Sequence, residues 1–279
     1  MVKMLLMPVK QKVFSALDRP RRRWLLALLG TVFVSAKRRR RCRVGYRDGI
    51  WLHHYADAVI PGPRIGGPTP SELYSDVDDR FGYDYLPVEG DVIVDIGAGY
   101  GEEALPLSRI VGTTGRILSF EAHPRAYRGL LLMCELNELD NVETYNIAVM
   151  ADSGTLHISD DDPIAKGNTV IGQTKGIDVE ANTFDTVVRG QGLTRIDLVK
   201  MNIEGAEVQA LEGMVAALKV TRHIFVECHD FLADRGLGQE MRTKAAVRAL
   251  LESSGFEVRT RPDPRPWMND SLYGVNTRL

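Results

Sequence analysis

The ten residues Val92–Gly101, VIVDIGAGYG, constrain this chain more than any other stretch. Val92 to Ile96 follows the turn signal Pro87-Val88-Glu89-Gly90 and reads as a strand buried on both faces. Gly97, Gly99 and Gly101 come next, and a helical pattern begins near Gly101 or Glu102. Glycine suits a place where the backbone must turn sharply or approach a ligand closely, and a helix start offers unpaired N–H groups to an anionic group. A strand, a glycine turn and a helix in that order belong to a parallel sheet that binds its ligand beyond the carboxyl ends of the strands.

The rest of the chain has to supply the other layers, and its periodicity does so. Short apolar runs predict six further strands: Ile117–Phe120, about Val142–Val149, Ile196–Met201, Ile224–Cys228, Phe256–Thr260 and Leu272–Thr277. Gly154–Ser159 can extend the third of the seven strands as a hairpin, and residues 160–182 read as loop. Between the strands lie helical periods, with Tyr127, Leu130, Leu131 and Cys134 on one face, then Val208, Leu211, Val215 and Leu218 on another. A C-terminal helix of about Glu240–Ser253 ends near Gly255. The predicted fold class is α/β, a Rossmann-like seven-stranded sheet, mostly parallel with one antiparallel strand and helices on both faces. Turn formers concentrate in PGPRIGGPTP, Pro61–Pro70, which separates a basic N-terminal extension with a short apolar helix and linker, residues 1–80, from the main domain, 81–279.

The charge divides in the same place. Residues 1–47 hold 14 Lys and Arg against the single acid Asp18, whereas the remainder holds 21 basic against 36 acidic residues, so the two regions have different tasks. Within the basic part, the apolar run Trp24–Ala36 has 13 uncharged residues, roughly 20 Å of helix against a hydrocarbon core of about 30 Å, too short to span. A secretory leader is disfavoured, because the run starts late and KRRRRCR follows it. Two readings stand: a helix lying on an anionic membrane surface, or a terminal helix docked on its own domain. Cys42, Cys134 and Cys228 form neither a CxxC nor an even framework, which fits a reducing compartment; the expected location is cytoplasmic, with residues 1–47 as a peripheral contact to the inner face of a membrane.

Spacing narrows the ligand. The dinucleotide fingerprint GxGxxG requires glycine at position 102, which is Glu102, and no GK[ST] follows to make a Walker loop. The GxGxG found here is the form of S-adenosylmethionine (SAM) sites. Such a site needs an acid at the end of the second strand to accept hydrogen bonds from ribose hydroxyls, and Glu121 stands 20 residues after Gly101.

These motifs continue as DVIVDIGAGYGEEALPLSRIVGTTGRILSFEAHPRAY, LNELDNVETYNIAV, TFDTVV, IDLVKMNIEGAEVQALEGM and IFVECHDF. Over about residues 83–230 they resemble the FkbM family of class I SAM-dependent O-methyltransferases. The resemblance implies methylation of a hydroxyl on a sugar, glycolipid or polyketide-type acceptor, a small molecule or lipid-linked. It also implies cofactor contacts from Asp95, Gly97, Gly99 and Glu121, with Ala98 and Ala122 beside them, and an adenine contact from the backbone near Ala148; the residue at Asn202 speaks against a metal site, and none is expected. The family's usual KIDVEGAE has Asp where this chain has Asn202, which is no carboxylate base.

An alcohol acceptor needs a group to take its proton, at the rim formed by the fourth and fifth strands. Asn202 and Glu204 follow the fourth strand; Glu227, His229 and Asp230 follow the fifth. His229 is the first choice for base, since an ordinary pKa of about 6.5 leaves it mostly neutral at physiological pH; Glu204 is the second. Asp185 is expected to orient a loop, His123 to cap a helix, and the pair His53-His54 has no carboxylate partner in sequence. Two other functions compete. A nucleic-acid methyltransferase is suggested by RPRRR and KRRRRCR, but NIEG stands where adenine-amino enzymes carry an NPPY-like motif, and no aromatics interleave the arginines. A catalytically inactive SAM-binding or membrane-associated protein is suggested by Asn202 and the basic terminus.

Overall fold

A computed structural model describes residues 18–160 and 168–279. The expectations for residues 1–17 of the basic segment and for residues 161–167 therefore lie outside the described residues. The chain divides into two compact units, Met1–Glu72 and Leu73–Leu279.

In the first unit the apolar run forms helix α1, Arg23–Arg38, which ends on Arg39 in the left-handed conformation. It packs on a three-stranded antiparallel sheet of β1 (Arg43–Arg47), β2 (Ile50–His54) and β3 (Val59–Gly62). Leu26, Gly30 and Val34 form its buried stripe. Two hydroxyls fix it to the strand: Thr31 Oγ1 accepts from Val44 N at 2.9 Å, and Ser35 Oγ both donates to Cys42 O and accepts from Cys42 N. The sequence reading contains no strand here, although Asp48-Gly49 is a strong hairpin signal. Both residues have positive φ, +51° and +88°, as a two-residue type I′ turn demands, and Arg47 pairs with Ile50 across it. His53 is fully buried; its Nδ1 bonds Ile60 O and its Nε2 accepts from Gly66 N, so it is a neutral structural latch.

The second unit is built on a seven-stranded sheet. In chain order the elements are α2 (Pro70–Phe81), β4 (Val92–Ile96), α3 (Ala104–Val111), β5 (Arg116–Phe120), α4 (Pro124–Asn137) and β6 (Val142–Tyr145). After the excursion described below come β10 (Ile196–Met201), α6 (Glu207–Glu212), β11 (Thr221–Val226), α7 (Asp230–Asp234), α8 (Lys244–Ser253), β12 (Phe256–Arg259), α9 (Pro266–Asp270) and β13 (Leu272–Asn276). The strand order is β12-β13-β11-β10-β4-β5-β6, parallel except that β13 runs against both neighbours. This is the predicted α/β Rossmann-like sheet. Chain order reverses between β4 and β10, and the crevice outside the carboxyl ends of those two strands is where such sheets bind ligands.

Three local expectations change. The run Val142–Val149 splits after β6, and Ala148–Val149 becomes β7 of a separate sheet, β7-β9-β8, with β8 at Gly154–Ile158 and β9 at Ile177–Asn182. Part of the stretch read as loop is therefore strand. It is followed by α5, Phe184–Gln191. The helix expected to carry Val208 through Leu218 stops at Gly213, leaving Val215 exposed. Gly213 lies so close to β7 that a side chain there would meet Met150 O at 2.0 Å. The turn that follows is fastened by Asp185, whose two carboxylate oxygens accept from Ala216 N and Ala217 N, each at 2.8 Å.

Candidate active site

The end of β4 is shaped by what glycine permits. Gly97, Gly99 and Gly101 all have positive φ, +81°, +58° and +86°. Gly97 presses on the neighbouring strand end: a Cβ there would lie 1.9 Å from Asn202 O. Gly97 N and Ala98 N both donate to Phe120 O, and Asn202 N donates to Ile96 O, so the loop is tied to β5 on one side and β10 on the other.

Beneath the loop lies a buried ion pair. Lys200 Nζ is 2.8 Å from Asp95 Oδ1 and donates to Gly97 O at 2.8 Å. Both side chains are essentially inaccessible, and burial pushes the Asp95 carboxyl up while Lys200 draws it down. Arg80, from α2, extends the cluster by pairing with Glu227 and lying 3.8 Å from Glu103. Asp95 thus stands under the glycine loop as its support, with Lys200 as the partner that the sequence reading did not identify. An apolar run holding one acid, VIVDI, beside a second run holding a lysine near its end, IDLVKM, was the available signal.

Glu121, directly after β5, is buried with its carboxylate aimed at the loop. Oε2 accepts from Gly99 N and Oε1 from His123 N, both at 2.8 Å. Burial pushes its pKa up to about 7, against those two N–H donors, which draw it down. Asn146 holds this strand end by donating from Nδ2 to the carbonyls of Glu121 and Ala122. Ala148, buried in β7, follows two residues later. His123 caps α4, its Nδ1 accepting from Arg125 N, while Nε2 meets Asp160 at 3.2 Å.

The expected catalytic group assembles at the ends of β10 and β11. His229 is buried between two carboxylates: Nδ1 is 2.9 Å from Glu207 Oε1 and Nε2 is 3.5 Å from Glu204 Oε2. Burial alone lowers the pKa of an imidazole, but Glu204 and Glu207 outweigh it and raise His229 to about 10. The two carboxylates thus favour the imidazolium, against the mostly neutral ring expected of an isolated His229. Glu207 is fully buried; its Oε1 also accepts from Gly205 N at 3.1 Å, and its Oε2 has no hydrogen-bond partner among the described residues. Glu204 is part-exposed and has φ of +49°, a left-handed conformation that costs a non-glycine residue about 1–3 kcal/mol and that persists only where neighbours enforce it.

The other rim candidates are used structurally. Glu227 pairs with Arg80, and Asp230 caps α8 by accepting from Thr243 N and Lys244 N at 3.0 Å. Asn202 contributes its backbone to the loop; its part-exposed side chain has no hydrogen-bond partner among the described residues. Among the described residues no group of three His, Cys, Asp or Glu side chains is arranged to hold a metal ion.

The glycine cradle fits a SAM-type cofactor. Gly99 holds a φ of +58°, which strains a side chain, and a Cβ there would also crowd the carboxylate of Glu102 at 3.2 Å. Each Glu121 oxygen uses one lone pair on a backbone N–H and leaves another able to accept a further hydrogen bond.

Comparison with known proteins agrees with this geometry. The family model for the methyltransferase FkbM domain matches residues 95–258. A curated relative, methyltransferase sdnD of Sordaria araneosa, is 26% identical over 241 residues, covering 74% of this chain and 88% of that protein. The hexuronic acid methyltransferase AglP of Haloferax volcanii is 26% identical over 142 residues, 50% of this chain and 57% of that protein. Among solved structures, methyltransferase FkbM from Methylobacillus flagellatus superposes with a TM-score of 0.50 at 15% identity, covering 74% of this chain and half of that one, which is a likeness of fold. The chain belongs to the FkbM family and is a SAM-dependent methyltransferase.

Proposed function

We propose that this enzyme transfers the methyl group to a hydroxyl of a sugar, glycolipid or polyketide-type acceptor, small or lipid-linked, and that Glu204 takes the hydroxyl proton. The observation that carries this reading is the row Glu207–His229–Glu204, buried at Glu207 and His229 and opening to solvent at Glu204. When bound, SAM supplies an electrophilic methyl on a sulfonium sulfur, so the chain's own task is to position the two partners and remove one proton. The residues suited to hold the cofactor are Gly97, Ala98 and Gly99 by their backbone, Glu121 by its carboxylate, and Ala122 and Ala148 along the adenine side.

Bracketed by Glu207 and Glu204, the ring of His229 is held toward its doubly protonated form, which favours Glu204 over His229 as the base. Its role is to aim Glu204, the more exposed of the two carboxylates, while buried Glu207 fixes the ring from behind. Asn202 stands next to this row and can orient a hydroxyl by hydrogen bonding without taking its proton. The similarity to a hexuronic acid methyltransferase supports a sugar-type acceptor.

The test combines labelled SAM with extracts containing glycolipid, polyketide and RNA fractions. Label in a hydroxylated small molecule or glycolipid, strongly reduced by Glu204→Gln with SAM binding retained, is the expected result. Label in RNA, or full turnover by Glu204→Gln, overturns the reading.

A further inference from the structure

The first unit carries an apolar surface that its own packing leaves uncovered. Helix α1 turns Leu26, Gly30 and Val34 onto the β1–β3 sheet, yet the opposite side of the same helix is also apolar. Trp24, Leu28, Leu29, Val32 and Phe33 are all more than half exposed, from 56% to 65%. At about 100° per residue these five positions, with Ala36, span roughly half of the helix circumference, and no charged residue interrupts Trp24–Ala36. An ordinary surface helix shows polar residues on that side.

Both ends of this face are basic. Arg19, Arg21 and Arg22 precede it and Lys37, Arg39 and Arg41 follow it, all exposed. The nearby acids do not neutralise them: Asp18 pairs with Arg23, Glu72 with Arg38 and Asp57 with Arg40. The helix is 16 residues long, about 24 Å, and no helix among the described residues is long and apolar enough to cross a membrane. A short helix with an uninterrupted apolar face between two cationic ends matches a bilayer surface whose headgroups are anionic, entered parallel to its plane. A second protein surface would have to present an apolar groove with acids at both ends; an anionic bilayer presents that pattern everywhere.

We propose that α1 docks this enzyme on anionic membrane, burying Trp24, Leu28, Leu29, Val32 and Phe33 below the headgroups while the six basic side chains contact lipid phosphates. Docking and packing on the unit's own sheet are then not alternatives, since they use opposite sides of one helix. The inference stands apart from the acceptor reading, because binding is measured without turnover.

The experiment is flotation of the full chain with vesicles of phosphatidylcholine alone or mixed with phosphatidylglycerol, at low and high salt. The expected result is binding to the mixed vesicles only, weakened by salt, with a blue shift of Trp24 emission that Trp24→Phe abolishes. The double substitution Leu28→Glu with Val32→Glu, at exposed positions, should weaken binding about tenfold or more while circular dichroism and SAM binding stay unchanged. Equal flotation of the double variant and the parent chain overturns the proposal. So does a parent chain that ignores anionic vesicles but is a dimer that the substitutions convert to monomer, which would make this face a contact between two copies.

Discussion

Replacing Glu207 by Gln tests the electrostatics of the site at its most buried point. His229 is held near 10 instead of 6.5, a difference worth on the order of 5 kcal/mol in favour of the imidazolium, of which two carboxylates share the credit. Removing the charge of Glu207 should therefore remove about 2–3 kcal/mol of that preference and bring the ring's pKa down toward 8. Because the folded pKa lies above the unfolded one, this stabilisation is fully present below about pH 6.5 and disappears as pH rises through about 10. Urea unfolding at pH 6 should then show the variant about 2–3 kcal/mol less stable than the parent. The gap should close as pH rises through about 10, where the parent's ring gives up its proton. Ring-proton NMR, with His229→Asn to assign the resonance among the six histidines, reads the titration directly. A parent His229 that titrates near 6.5, or a stability gap independent of pH, would refute the imidazolium and with it the assignment of proton acceptance to Glu204.

Three further outcomes follow from other contacts. Glu121→Gln should weaken SAM binding by about 1.5–3 kcal/mol, and binding to the parent should strengthen from pH 6 to pH 8 as a carboxyl pushed up to about 7 ionises; calorimetry at both pH values measures it, and a flat profile sinks the ribose role. Lys200→Met leaves Asp95 buried without its cation and should cost about 3–5 kcal/mol in chemical denaturation, unless Asp95→Asn is added to remove the orphaned charge. Gly97→Ala places a methyl 1.9 Å from Asn202 O at a φ of +81°, so SAM binding should be lost even where the variant still folds; binding within about twofold of the parent would show the loop to be compliant.

What could be read from the sequence depended on how locally each feature is encoded. The strands of the main sheet were legible because strands buried in the sheet leave mostly apolar runs, as in VIVDI, broken only by Asp95, and IDLVKM, broken by Asp197 and Lys200. The cofactor loop was legible because a positive φ at three alternate positions leaves a glycine at each. The β1–β2 hairpin was equally local, announced by Asp48-Gly49 but set among arginines that speak first of charge, while β9 is short and weakly apolar, although Ile177, Val179 and Ala181 alternate with polar residues at strand period. The charge state of His229 is different in kind. Glu204 and Glu207 are three residues apart in sequence, but they bracket the ring only because β10 and β11 are adjacent and a left-handed Glu204 turns the chain between them. An intrinsic pKa is a property of a residue type, whereas a shifted one belongs to an arrangement, and two carboxylates around one imidazole are what lead us to propose Glu204 and not His229 as the base. The same reasoning separates Asp95 from Glu121. Both are acids at strand ends, but the first pairs with Lys200 across the sheet and supports the loop, while the second is held by two backbone N–H groups and keeps lone pairs able to accept from a ligand.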